Sequence, residues 1–216
     1  GAEYPSTWIF AVDGLVGAPP ELLLRLSRGM VTSRVLAGTI SKTGNDEKDL
    51  ALAASLARSS KDLEEHEYAV RSVADALDPF CTSTNVPESP FVLHLANVMH
   101  LATDVTGALI ESKKNVDAFT ILEKLHPSAA VCGTPTDLAA KVIKNIEGMS
   151  RGRYAGPVGW LDARGDGELG IALRCGQIKE NEIQIYAGCG IVAGSNPEKE
   201  LTESNAKFAP MRSALN

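Results

Sequence analysis

No apolar run in these 216 residues reaches the roughly 18 that a membrane-spanning helix requires. No secretory leader is legible at the start. Cysteine is scarce: Cys81, Cys132, Cys175 and Cys189 show no C-x-x-C spacing and sit among apolar neighbours. That argues against a zinc site and leaves reduced thiols, as expected of a cytoplasmic protein. Positive charge is also in short supply. A formal net charge of −6 offers no general basic field to nucleic acid or a membrane surface. An anionic ligand would need local help from arginine, lysine, helix N-termini or a divalent cation. Internal repeats, low-complexity tracts and flexible linkers are lacking, and the length fits one large domain or two small ones.

What is present is an ordinary globular composition, long enough to bury about 70% of the unfolded surface. The most informative stretch is near the C-terminus. Ile183 and Ile185 alternate with polar residues as in a half-buried strand, and Gly188, Gly190 and Gly194 then let the backbone approach a ligand. Asn196 or Ser195 can cap the helix that follows, with Pro197 in its first turn. On that helix Glu200, Glu203 and Lys207 share one face. Two carboxylates beside an ammonium and glycine-freed amides could hold a metal ion with an anionic substrate. The same spacing also fits a solvated face with an ordinary Glu203–Lys207 pair. Gly188-Cys-Gly-Ile-Val-Ala193 fits a dinucleotide fingerprint, but Gly194 and Pro197 intervene before the helix, so that reading is set aside.

Elsewhere the pattern predicts strands at Trp8–Val12 and Met30–Leu36, and a short helical turn begun by Pro20 with Glu21 at its start. Asp46–Leu77 reads as the longest helical stretch, interrupted near Ser59-Ser60. Its apolar stripe is Leu63, His66, Val70, Val73 and Leu77. Asp62 and Glu65 have the spacing of a capping box. Phe91–Thr103 reads as one β-like run, followed by a loop from Gly107. His66 and His94 are expected in the core. Helices are predicted at Ala118–Leu125 and after Gly133, with Thr134 as cap, Pro135 at N1 and Gly148 as stop. Three strands, Val158–Asp162, Gly170–Cys175 and Glu182–Tyr186, are joined by hairpin-like loops. The layout is α+β with a mainly antiparallel sheet and packed helices.

Taken in order, Pro20-Glu-Leu-Leu-Leu, Leu36-Ala-Gly-Thr, Lys61-Asp-x-x-Glu-His66, His100-Leu-Ala-Thr, Leu125-His-Pro, Tyr154-x-Gly-x-Val-Gly159, Ile171-x-Leu-Arg-Cys175, Ala187-Gly-Cys-Gly-Ile-Val192 and Glu200-x-x-Glu-x-x-x-Lys207 resemble the chorismate-utilising enzymes. Among these the sequence looks most like the isochorismate synthases, from about Tyr4 to the C-terminus. Each motif is weak alone; in register they are specific.

The resemblance implies Mg²⁺-dependent conversion of chorismate to isochorismate, in menaquinone or siderophore formation. It implies that Glu21 is the general acid that protonates the departing C4 hydroxyl, and that His100 lies near the ring. Glu65 and Glu203, with Glu200 nearby, match the Mg²⁺ ligands. Tyr154 and Arg174 match the grip on the enolpyruvyl carboxylate. Lys207, Gly188 and Gly190 would face the substrate carboxylates, and Gly38 and Thr39 would line the site. The family's general-base lysine belongs to an N-terminal half that these residues lack, and Lys42, Lys48 and Lys61 lie in other motifs. Poor turnover by this stretch alone is therefore expected, with its open sheet edge needing that half or another copy as partner. Val131-Cys-Gly-Thr-Pro135 lacks the Gly-Ala-Pro-Lys form of the ammonia-using members. Water is thus the expected nucleophile, with isochorismate or salicylate as product.

Overall fold

The computed structural model describes residues 7–111 and 116–215; Tyr4, where the resemblance begins, lies outside them. Two sheets form the frame. The smaller holds β1 (Phe10–Val12), β2 (Leu15–Gly17), β10 (Cys175–Lys179) and β11 (Glu182–Tyr186), in the order β1-β2-β10-β11. The larger is built from β3 (Leu22–Ser27), β4 (Met30–Ser41), β5 (Cys81–Asn85), β7 (Val98–Leu109), β8 (Pro157–Leu161) and β9 (Gly167–Ile171). Its order is β5-β7-β4-β3-β9-β8, with β6 (Phe91–His94) also on β7. Every pairing among the described residues is antiparallel, as the α+β reading anticipates.

The helices are α1 (Asp46–Leu56), α2 (Ser60–Leu77), α3 (Ala118–Leu125), α4 (Thr136–Ile146), α5 (Pro197–Lys207) and α6 (Ala209–Leu215). The α2 helix packs on β4 and β7 through His66, Ala69, Val70, Val73 and Leu77, which is the stripe read from its 3.6-residue period. Leu63 turns to a smaller cluster with Leu56, Met99 and Leu101. His66 is buried, its Nε2 2.7 Å from Thr103 Oγ1. His94, by contrast, is exposed at the end of β6, because the short hairpin strand turns that residue outward.

Other expectations change in instructive ways. Leu22-Leu23-Leu24 forms strand β3 rather than a helical turn. Those leucines are buried between β4 and β9, and pairing on both edges with burial on both faces overrides their helical propensity. Ser59, not Asp62, caps α2 by accepting from the Asp62 amide at 3.3 Å; Glu65 therefore lies a turn beyond the cap. The run Phe91–Thr103 folds into the β6–β7 hairpin. Gly107 lies inside β7, where a Cβ would collide with Cys81. Pro135 takes the N-cap position of α4 without a side-chain cap. The expected strand Gly170–Cys175 is cut in two: β9 pairs in the large sheet and β10 in the small one, so the chain crosses between sheets at Ala172–Arg174.

Candidate active site

That crossing and three other irregular segments face one cleft. Arg174 sits in the crossing with φ 47°. In β4 the register slips between Ala37 and Thr39, and Gly38 occupies the bulge at φ 74°. A Cβ at Gly38 would lie 2.9 Å from Asp62 Cβ. Both the handedness and the closeness of α2 thus demand glycine there. Gly38→Ala is expected to cost about 2 kcal/mol, read as a lowered midpoint in denaturant. The third irregular segment is the Pro19-Pro20-Glu21 entry to β3, and the fourth is the loop Ala187–Gly190 after β11.

The predicted residues Glu21, Gly38, Thr39, Glu65, His100, Tyr154, Arg174, Gly188, Gly190 and Lys207 all line this cleft, whose empty space is about 890 Å³ out to its open mouth. Glu200 and Glu203 stand beside it on α5.

Glu21 is 5% exposed, and its carboxyl is pushed up to about 8. Burial is the main cause; the Leu36 backbone hydrogen bond and the charges of Lys207 and Arg174 oppose it. A carboxylic acid that stays protonated near neutrality is what a proton donor requires.

His100, opposite Thr39 in the β4–β7 pair, places Nδ1 3.0 Å from Thr39 Oγ1 and Nε2 2.5 Å from Arg174 Nη2. Arginine can only donate, so Nε2 accepts and Nδ1 carries the hydrogen. Burial, then the charges of Arg174 and Lys207, hold the imidazole well below its usual range. It is a neutral acceptor that meets one edge of the guanidinium.

The acidic corner is charge-compensated rather than solvated. Lys207 Nζ lies 2.7 Å from Glu203 Oε1, and both side chains are mostly buried. The solvated reading of that helix face therefore does not describe it. Lys61 Nζ lies 2.9 Å from Glu200 Oε1 and 3.7 Å from Glu65 Oε2. Glu65 is pushed up, first by burial and also by the charge of Glu203, against the pull of Lys61. Burial raises Glu200 too, but the Lys61 bond and charge outweigh it and hold that carboxyl below its usual range. A Cβ at Gly190 would collide with the Glu65 carboxylate, so this glycine is what admits Glu65 to the cleft.

Whether this corner suits a divalent ion can be tested on its donors. Among the described residues, no three His, Cys, Asp or Glu side chains already form a cage for a metal. Glu200 Oε2 is nevertheless buried without a hydrogen bond, and Glu65 and Glu203 repel each other across the corner. Mg²⁺ takes one or two carboxylates and completes its shell with water and substrate oxygens. The donors fit that mode.

Sequence reasoning weighed Lys61 only as a base and gave no role to its bridge between two of the carboxylates, nor to the wall formed by Val131, Glu147, Met149 and Arg151. The i,i+4 spacing of Lys61 with Glu65, and of Glu147 with Arg151, was the available signal.

Residues 2–216 match the family described as chorismate binding enzyme. The chain belongs to that family. Among curated members of this chorismate-binding family, it is 44% identical over 201 residues to isochorismate synthase DhbC of Bacillus subtilis, covering 93% of this chain and 50% of that protein. The crystal structure of DhbC from Bacillus anthracis superposes with a TM-score of 0.89 at 42% identity, over 93% of this chain and 53% of that one. MenF, the menaquinone-specific isochorismate synthase of Escherichia coli, gives a TM-score of 0.83 at 33% identity, over 94% and 46%. The chain spans about half the length of the relatives it matches. No helix among the described residues is long and apolar enough to cross a membrane.

Proposed function

We propose that this chain carries the acid and binding half of an isochorismate synthase site. In that reaction water adds at C2 of chorismate while the C4 hydroxyl departs. The observation that carries the reading is the convergence of a buried Glu21, its carboxyl pushed up to about 8, with Arg174, Lys207 and Glu65 in one cleft, with Glu203 paired to Lys207 beside it. Chorismate is a small dianion; in a protein of net charge −6, it needs the local cations that this cleft collects.

In this reading Glu21 delivers its proton to the departing C4 hydroxyl, which leaves as water. Arg174, held by His100, would grip the enolpyruvyl carboxylate together with Tyr154. The planar fork suits a carboxylate better than a point charge does. Glu65 and Glu203 would hold Mg²⁺, with Glu200 beside them, and the ion would supply positive charge for the ring carboxylate. Gly188, Gly190 and Lys207 line the same end; Gly38 and Thr39 shape the floor. The base that takes a proton from the attacking water is not assigned to any of these residues. Lys61 is engaged by carboxylates on α2 and α5. The four free cysteines suit a reducing, cytoplasmic setting.

Chorismate binding by this chain, measured calorimetrically with and without Mg²⁺, tests the reading. Mg²⁺ is expected to strengthen binding, and Glu203→Gln is expected to weaken the Mg²⁺-dependent part about tenfold or more. Chorismate affinity that ignores both Mg²⁺ and the substitution would sink the metal assignment. A coupled pyruvate assay separates isochorismate from salicylate as product; no pyruvate is expected.

A further inference from the structure

One wall of the cleft takes no part in the chemistry above, and Arg151 organises it. Its Nε and Nη2 donate to the two oxygens of Glu147 at 2.9 and 2.5 Å, and its Nη1 donates to the Val131 carbonyl at 2.7 Å. The same guanidinium lies 5.6 Å from the centre of the Tyr154 ring. The Tyr154 amide in turn donates to the Arg151 carbonyl at 2.9 Å. On its other side Tyr154 stacks on Tyr186, with centroids 5.0 Å apart and planes at 11°. Tyr186 closes β11 just before the Gly188 loop, and a Cβ on Gly188 would lie 3.0 Å from the Tyr154 hydroxyl. Arginine, tyrosine and tyrosine thus form one pile that ties three separate segments to the mouth of the cleft.

This pile does more than stabilise the fold. The Arg151–Glu147 pair is part-exposed, at 26% and 29% of its side-chain surface, so solvent screens part of its attraction and its worth to stability is discounted. Nor is Arg151 poised as a second carboxylate grip, since its forked face is already spent on Glu147. What it controls is the ring beside it.

We propose that Arg151, braced by Glu147, is a positioning residue that fixes the Tyr154 hydroxyl against the Gly188 loop and so sets where the substrate carboxylate binds. The assignment rests on the function proposed above. It predicts a specific coupling: if Arg151 acts through Tyr154, removing the hydroxyl removes the reason for the arginine.

The test is chorismate binding, with Mg²⁺ present, by the unaltered chain, Arg151→Gln, Tyr154→Phe and the double variant. Arg151→Gln is expected to weaken binding about tenfold, with little change in melting temperature. In the Tyr154→Phe background it should add almost nothing. Arg151→Lys should not rescue, because an ammonium cannot span Glu147 and Val131 while lying flat on the ring. Glu147→Gln, which loosens the brace and leaves the cation over the ring, should show a smaller loss with the same dependence on Tyr154. It serves as the decisive variant if Arg151→Gln unfolds. Equal losses in both backgrounds, or none in either, would overturn the proposal. Absence of chorismate binding by the unaltered chain would strike the proposed function itself, and this inference with it.

Discussion

In a protein that also carries the base-bearing half, replacing Glu21 with glutamine is expected to lower isochorismate formation by about two to four orders of magnitude while leaving chorismate bound. The amide keeps the shape and can still face the substrate, but it has no acidic proton to give. The pH profile follows from the same burial. A general acid works only while protonated, so with the carboxyl at about 8 the rate should fall as pH rises through that value, and not between 5 and 7. A profile flat to pH 9 would remove Glu21 from the acid role. Stability should also fall with rising pH, and should begin to fall earlier than activity does. The folded value is raised from 4.5 to about 8; below the lower figure neither state is ionised and burial carries no charge penalty. Between the two, the unfolded chain ionises and the folded one does not, so stability is lost progressively as pH rises, by on the order of 5 kcal/mol. Glu21→Gln escapes that loss. It should therefore match the unaltered chain near pH 4.5 and exceed it at pH 9 in chemical denaturation, an inactive variant that is the sturdier protein.

Arg174→Met is expected to weaken chorismate binding about a hundredfold, because a charge-assisted bond to a carboxylate is worth roughly 1.5–3 kcal/mol. It also strips His100 Nε2 of its donor inside a buried site, leaving an imidazole that Arg174's charge had helped to keep neutral. Arg174→Lys should recover only a small part of the loss. An ammonium restores charge but cannot meet His100 with one edge and a carboxylate with another. Equilibrium titration of both variants checks this; near-full recovery by lysine would mean that only charge, and not the fork, matters at this position.

Much of this was legible in the chain because it depends on local rules. The α2 stripe from His66 to Leu77 follows from its period, and the Glu182–Tyr186 strand from alternation. Asn196 capping a helix begun by Pro197 follows from backbone chemistry, and the structure has each of them. The glycines at 38, 188 and 190 could be singled out from the motifs that contain them. Where local rules competed with pairing partners they gave the wrong answer. Leu22-Leu23-Leu24 became a central strand because β4 and β9 were available on either side. The Gly170–Cys175 run was split because its two ends belong to different sheets.

The sequence alone determined which groups are present and how far along the chain they lie: an antiparallel α+β layout, carboxylates at helical spacing, and glycines where a ligand can come close. Only the tertiary structure decided their states. Glu21 is held protonated by walls that come from distant segments, and His100 is made an acceptor by an arginine 74 positions away. Lys61 faces Glu200 across helices that share no local signal. Desolvation and Coulomb energy depend on distances through space, which spacing along a chain does not specify until the sheets have closed.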